Sequence, residues 1–294
     1  MNGNKVFIIS ITVLVFLGLT AFTSTGYSRA SKINVSINSR YAAAYDVTHN
    51  KTVYSKNADL KTRPASLAKL LMAITLIDSH SNLNVRTKTV GADYKYISSV
   101  GEASSNYFRS GENAKLHDYL CAAMFISAAD ASMTLARYIG NGNFSRGMKK
   151  INAEASKLGM KSTHLADPIG VDNDGTYTTC NDYTKLLKYA IKNKTFKSIF
   201  CGKSYTLSTS NYHGKRTIRN SVVSAASKRK NSLIMGGKFG STAKAHRCLA
   251  SYSKFNNTEY VCITTYAFPS KTNNYPQLSD ADTIYKAINK ATKR

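Results

Sequence analysis

The chain has 294 residues, 43% hydrophobic and 19% charged, which is enough to bury one sizeable core in one or two domains and speaks against disorder. Lys and Arg number 41 against 16 Asp and Glu, a formal net charge of +25 that points to a polyanionic neighbour. Nucleic acid is set aside, because the sequence shows no zinc-finger spacing, no basic helix with heptads and no ribonucleoprotein aromatic motif.

Lys5 precedes an apolar run from Val6 to Phe22, and small and polar residues follow to Ala30. A basic start, an apolar stretch and a small-residue exit make residues 1–29 a signal peptide or an N-terminal membrane anchor. The run is slightly shorter than the ~20 residues that a spanning helix prefers, which leans towards cleavage. Export makes the location extracytoplasmic, either secreted or tethered through this segment. The positive charge then calls for an anionic wall polymer or a membrane surface as partner. Residues 30–294 are expected to form one domain.

Tyr41–Val47 and Thr52–Ser55 read as two strands of a hairpin. Pro64 precedes a helix to about Ser79, with Leu67, Leu70, Leu71 and Ile74 at helical spacing. Asp93–Arg109 is polar and irregular, and is expected as a loop with short strands. Leu116–Phe125, Asp130–Ile139, Phe144–Leu158 and Asn181–Ile191 carry helical patterns, with stop signals at Asn141, Gly142 and Gly159. Residues 167–178 form a loop rich in Asp and Gly. Short strands are expected at Ser204–Leu207 and Arg216–Asn220, and longer ones at Arg247–Phe255 and Thr258–Ala267. Asn256 and Asn257 join the longer pair as a hairpin. Asp280–Ala291 is a closing helix. With strands at both ends and helices between, the expected class is α/β (α+β), an antiparallel sheet flanked by helices.

Five cysteines leave at least one thiol unpaired in a monomer, and none has C-x-x-C spacing. Cys180 with Cys201, or Cys248 with Cys262, are the pairings open in an oxidising compartment. The six histidines lack metal-ligand spacing, so no metal and no cofactor is expected.

Ser66 and Lys69 form an S-x-x-K motif at the start of a helix, where three residues are nearly one turn and place both side chains on one face. A serine hydroxyl needs an adjacent base to attack a carbonyl, and a partly desolvated lysine can serve. Backbone N–H groups at a helix start favour a developing oxyanion. The chemistry that fits is serine acyl transfer.

Further markers accompany it: Arg63 to Lys69, Gly111 with Glu112, Ser127 to Ala131, Asp167 to Gly170, Tyr177 to Thr179, and Gly237 to Thr242. Together they resemble the D-alanyl-D-alanine carboxypeptidases of the low-molecular-weight penicillin-binding proteins, over about residues 37–270. The resemblance implies a β-lactamase/transpeptidase-like (DD-peptidase) fold and removal of terminal D-alanine from peptidoglycan stem peptides through an acyl-enzyme. It also implies that β-lactam antibiotics bind. By position, Ser66 is the nucleophile, Lys69 its base, and Ser127 a proton relay. Lys238, Gly240, Ser241 and Thr242 are the substrate-binding residues. Lys238 and Thr242 address the terminal carboxylate, and the N–H groups of Ser66 and Ser241 form the oxyanion hole. The family's C-terminal β-domain is expected to be missing.

The sequence departs from the family pattern at three positions. Ala129 stands for Asn in the second motif, Phe239 for Thr in the third, and His246 for Gly. Ala129→Asn and Phe239→Thr together are expected to raise the acylation rate. The alternatives are a degenerate homologue that binds wall peptide or a partner, and a β-lactamase. Against the latter, the loop 167–178 has no Glu. An unrelated esterase lacks the Gly-x-Ser-x-Gly elbow.

Overall fold

In Tyr41–Asp46 (β1), Ala42 and Ala44 belong to one buried cluster while Tyr41 and Ala43 belong to another. Side chains alternate across a strand, so a strand buried at successive positions needs cover on both faces. The computed structural model, which describes residues 33–100 and 106–293, shows that cover. The expected leader lies outside the described residues. β1 sits between β2 (Lys51–Lys56) and the late strand Thr258–Ala267, with β8 (His246–Phe255) and β7 (Gly236–Thr242) beyond. With Thr258–Ala267 as β9, the order is β2-β1-β9-β8-β7, antiparallel throughout. Two small hairpins stand apart: β3 (Arg86–Lys88) with β4 (Asn113–Lys115), and β5 (Ser204–Leu207) with β6 (Arg216–Arg219).

Ala42, Ala44, Leu249 and Cys262 pack against α8 (Ser221–Ser227) and α9 (Pro276–Thr292). Ala43, Ala250, Val261 and Ile263 face the other layer, built from α1 (Ala68–Ser79), α3 (Leu116–Phe125), α4 (Ala129–Ile139), α5 (Phe144–Lys157), α6 (Cys180–Ala190) and α7 (Lys194–Phe200). α1 is buried from Ala68 to Leu76, a helix apolar all round as the centre of a core demands. Each of its buried Leu, Met and Ile side chains stabilises the fold by roughly 1.5–3 kcal/mol. Lys69 lies inside that run.

The fold corrects several expectations. Gly91–Ser99 is a helix, α2, not a loop. Its few apolar residues give little periodic signal, and it is fixed by tertiary contacts. Asp93 is buried against Arg137, and Ile97 packs on Ala129 and Met133. α7, α8 and β7 were not expected as elements, and α9 starts at Pro276, a residue suited to the first helical turn. All five cysteines are free. Cys248 and Cys262 lie in the clusters on opposite faces of the sheet, so that pairing is closed by geometry. Among the described residues, no helix is long and apolar enough to cross a membrane.

Candidate active site

A 3-10 turn, Ala65–Leu67, leads into α1 and carries Ser66 at its centre. Ala65 has φ +48, in the left-handed region that residues with a Cβ rarely adopt. Ser127, between α3 and α4, has φ +63. Two such residues around one hydroxyl mark a geometry held by its surroundings. Ser127 Oγ donates to Ser66 Oγ at 2.8 Å, and Lys69 Nζ donates to Ser66 Oγ at 2.9 Å. Lys69 is fully buried, and loss of hydration brings its ammonium down to about 7, against an opposing pull from Asp167. A lysine of that kind spends much of its time neutral near pH 7 and can then accept the Ser66 proton.

The loop 167–178 holds this lysine. The Asp167 carboxylate accepts from the N–H groups of Ile169 (2.9 Å) and Gly170 (2.8 Å), and from Tyr96 Oη at 3.3 Å. The turn so formed presents the Ile169 carbonyl to Lys69 Nζ at 2.9 Å. Gly170, at φ +83, must lack a Cβ, because one built there would lie 1.8 Å from the Ala65 carbonyl oxygen. Ala129 sits in an apolar cluster with Ile97, Met133, Ile169 and Val171. Lys69 thus takes its second contact from a backbone carbonyl, and alanine at position 129 matches its own surroundings.

The opposite wall is β7. Gly240 lets it approach the nucleophile turn: an added Cβ would meet Pro64 O at 3.0 Å and Ser66 N at 3.2 Å. Lys238 is 1% exposed, and its Nζ donates to Phe239 O at 2.9 Å. Burial, with Lys69 nearby, holds its ammonium well below the ordinary lysine range. Phe239 stacks on Tyr275, with centroids 5.3 Å apart and planes 26° apart. Ser241 Oγ accepts from Arg247 Nη1 at 3.2 Å, across the β7–β8 register that pairs these two residues. A cleft of about 290 Å³ joins the two walls and is lined also by Ser221, Tyr275 and Gln277.

Ser66, Ser127, Lys238, Gly240 and Ser241 line this cleft, and Lys69 lies directly behind Ser66. Thr242 is placed differently. Its hydroxyl donates to Asp172 Oδ1 at 2.7 Å and accepts from the Ala245 N–H at 3.0 Å, so it ties the β7–β8 turn to the loop 167–178 and does not line the cleft. His246 also stays out of the cleft. It has φ +53, a conformation suited to glycine, and its ring packs on Tyr266 and Phe268 at 4.5 and 4.1 Å. The roles of Ile169, Gly170, Arg247 and Gln277 were not found from sequence. A carbonyl leaves no compositional trace, and Arg247 becomes a candidate only once the β7–β8 register is known.

A family model described as D-alanyl-D-alanine carboxypeptidase matches residues 27–268. The D-alanyl-D-alanine carboxypeptidase of Streptomyces sp. (strain K15) is 29% identical over 210 residues, covering 67% of this chain and 70% of that protein. The D-alanyl-D-alanine carboxypeptidase DacF of Bacillus subtilis (strain 168) is 24% identical over 273 residues, covering 91% of this chain and 66% of that one. The chain thus spans about two thirds of the length of these relatives. The crystal structure of the Streptomyces K15 DD-transpeptidase superposes with a TM-score of 0.76 at 24% identity, over 87% of this chain and 98% of that one.

Proposed function

Because the chain belongs to the peptidase S11 family of D-alanyl-D-alanine carboxypeptidases, we propose that it is a serine DD-peptidase acting on peptidoglycan stem peptides through an acyl-enzyme on Ser66. The observation that carries this reading is that Lys69 Nζ, at 2.9 Å, and Ser127 Oγ, at 2.8 Å, both converge on Ser66 Oγ, on a turn locked by Gly170. Neutral Lys69 takes the Ser66 proton as Oγ bonds to the carbonyl carbon of the penultimate D-alanine. The N–H groups of Ser66 and Ser241 receive the oxyanion. Ser127 passes a proton to the departing amine as the C–N bond breaks. Water then opens the ester, restoring Ser66 and releasing the shortened stem as a carboxylate. β-Lactams enter by the same attack and leave an adduct on Ser66.

Residues 1–29 serve export, as a cleaved signal or a tether, and the working place is outside the cytoplasm. An anionic wall polymer as partner is supported by the net charge of +25 and by a second cleft, where Lys61 and Lys244 stand beside the Arg63–Asp174 ion pair and Tyr41, Tyr177 and Tyr266. The test of the enzyme reading is incubation with a fluorescent penicillin, intact-mass detection and a Ser66→Ala control. An adduct present in the natural protein and missing in the control is expected, followed by D-alanine release from a pentapeptide stem or its cross-linked equivalent. A folded protein that takes no adduct at high ligand excess would leave a wall-binding relic as the better account.

A further inference from the structure

The second cleft, of about 270 Å³, shares no lining residue with the one that Ser66 opens into. Two chain segments nevertheless serve both. Arg63 lines the second cleft three residues before Ser66, and Lys244 lines it three residues after Ser241. The loop whose Ile169 carbonyl holds Lys69 supplies Asp174, Thr176 and Tyr177. None of the second cleft's side chains takes part in the acyl transfer proposed above.

Its charges do not cancel. Arg63 Nη2 donates to Asp174 Oδ1 at 2.8 Å, and that bond, with Lys244 nearby, holds the Asp174 carboxyl below its usual range. The Lys61 ammonium lies 4.1 Å from the centre of the Tyr177 ring, and Lys244 bonds through its backbone N–H to Asp172 Oδ2 at 2.6 Å. Neither ammonium makes a hydrogen bond or an ion pair among the described residues. Arg40 stands over the rings of Tyr41 and Tyr266 at 5.5 and 5.6 Å, and its guanidinium has no acid partner among them either. Arg40, Lys61 and Lys244 are all exposed. Three cations thus gather around a cleft whose one lining carboxylate is already paired. Such a cluster repels itself, and a bound polyanion relieves the repulsion.

The donor set narrows the class of anion. The planar fork of the lining, Arg63, is occupied by Asp174 and by the Asn173 carbonyl. What remains in the lining is two compact ammoniums and the phenols of Tyr41, Tyr177 and Tyr266, whose oxygens make no hydrogen bond among the described residues. Point charges and hydroxyl donors suit the free oxygens of a phosphodiester, and Arg40 matches them too. A concave cleft admits a single strand and not a flat bilayer. Cations drawn from three separate segments suit charge repeated along a chain.

We propose that this cleft binds a strand of polyol phosphate, whose phosphodiesters pair with Arg40, Lys61 and Lys244 and whose oxygens meet the three phenols. The strand lies beside the nucleophile turn, so the protein is held where that polymer is. The inference rests on the reading of an anionic wall polymer as partner, and is independent of the chemistry of Ser66.

The test is titration of a fluorescent glycerol phosphate oligomer with the purified protein, followed by anisotropy at low and moderate salt. An oligoglutamate of equal charge and phosphatidylglycerol vesicles are run beside it. The glycerol phosphate oligomer is expected to bind at least about tenfold more tightly than the oligoglutamate. Lys61→Gln with Lys244→Gln should weaken it by at least about tenfold and flatten its salt dependence, because two phosphate contacts are lost. Lys192→Gln with Lys286→Gln removes the same charge from exposed positions outside the cleft, and should change binding by less than about threefold. Thermal unfolding of each variant shows that it is folded. Equal weakening by both pairs would reduce the binding to general charge attraction and overturn the site, leaving the polymer as partner. Equal affinity for the oligoglutamate overturns the phosphodiester class. Vesicle binding that needs Lys61 and Lys244, without binding of the free oligomer, assigns the face to a membrane and overturns the proposal. No binding of any polyanion overturns both the site and the partner reading, while penicillin acylation tests Ser66 separately.

Discussion

The nucleophile turn and the β7 edge face each other across one cleft and are held in different ways. On the turn, each polar side chain is fixed by an interior contact. Lys69 is bound by the Ile169 carbonyl, Asp167 folds the loop that supplies it, and Gly170 admits that loop against Ala65. On β7, Lys238 is buried, but Phe239 is half-buried and Ser241 exposed, and their partners are outer groups: Phe239 on Tyr275, Ser241 on Arg247. The first region cannot change one residue without leaving a buried group unsatisfied. The second can exchange a threonine for a phenylalanine and keep its strand. Packing is therefore closed around the nucleophile turn and open along the outer face of β7, where a substitution is best tolerated.

The largest effects should come from the turn. Ser66→Ala abolishes the penicillin adduct, and Lys69→Met slows acylation by on the order of 10⁴-fold or more, as removal of a member of a cooperating unit does. Stopped-flow acylation checks both. In the natural protein the rate should rise with pH through about 7, where Lys69 loses its proton, and then level off. Stability carries the matching sign. The folded lysine titrates near 7 and the unfolded one near its ordinary value, so between them the unfolded chain holds more protons and stability rises with pH. Lys69→Met removes that slope and raises stability at pH 7 by on the order of a few kcal/mol, which denaturant titration at pH 7 and pH 9 would measure.

Gly170→Ala tests the lock from the backbone side. A Cβ 1.8 Å from the Ala65 carbonyl oxygen forces one strand of chain to move, and the residue would also hold φ +83. A loss of about 2–4 kcal/mol in urea unfolding is expected, with an acylation rate that falls more than global stability alone would require. Wild-type stability in this variant would mean that the loop and the turn are not mutually locked.

How much of this was legible depends on how local each signal is. Ser66 and Lys69 are three residues apart, across the step from the 3-10 turn into α1, so their pairing shows in the sequence. The β8–β9 hairpin shows in Asn256 and Asn257, both left-handed at φ +49 and +55. α3 to α6 show in their apolar spacing. The hidden parts are contacts over long separations. Ile169 reaches Lys69 with its backbone, not its side chain. The helix α2 is held by Arg137 and Ala129, far along the chain, not by its own pattern. Thr242 belongs to a motif by position, yet its hydroxyl is taken by Asp172, 70 residues earlier. Whether two cysteines of neighbouring strands share a face depends on register, and Cys248 and Cys262 do not.

The second-motif change shows the same contrast with an intermediate effect. From sequence, Ala129→Asn together with Phe239→Thr should restore the family's motifs and speed acylation. In the structure Ala129 is fully buried among Ile97, Met133, Ile169 and Val171, so the amide would enter an apolar cluster. The expected result is a loss of about 1–3 kcal/mol and no gain in acylation rate. A faster rate at unchanged stability would show that the cluster can open to admit a polar group. Combined with Phe239→Thr, the double variant should acylate no faster than Phe239→Thr alone.

The smallest effect belongs to His246, where two terms of similar size oppose each other. Glycine would relieve the left-handed backbone at φ +53, worth roughly 1 kcal/mol. It would also remove the ring from Tyr266 and Phe268, contacts worth about 0.5–1.5 kcal/mol. His246→Gly should therefore change stability by less than about 1 kcal/mol, a Tm shift of a few degrees at most for a chain of this size. Acylation should be unchanged, because the ring lies outside the cleft that Ser66 opens into. A marked fall in acylation would instead tie the β7–β8 turn to the proposed oxyanion donor at Ser241, and the β7 edge would then be as closed as the nucleophile turn.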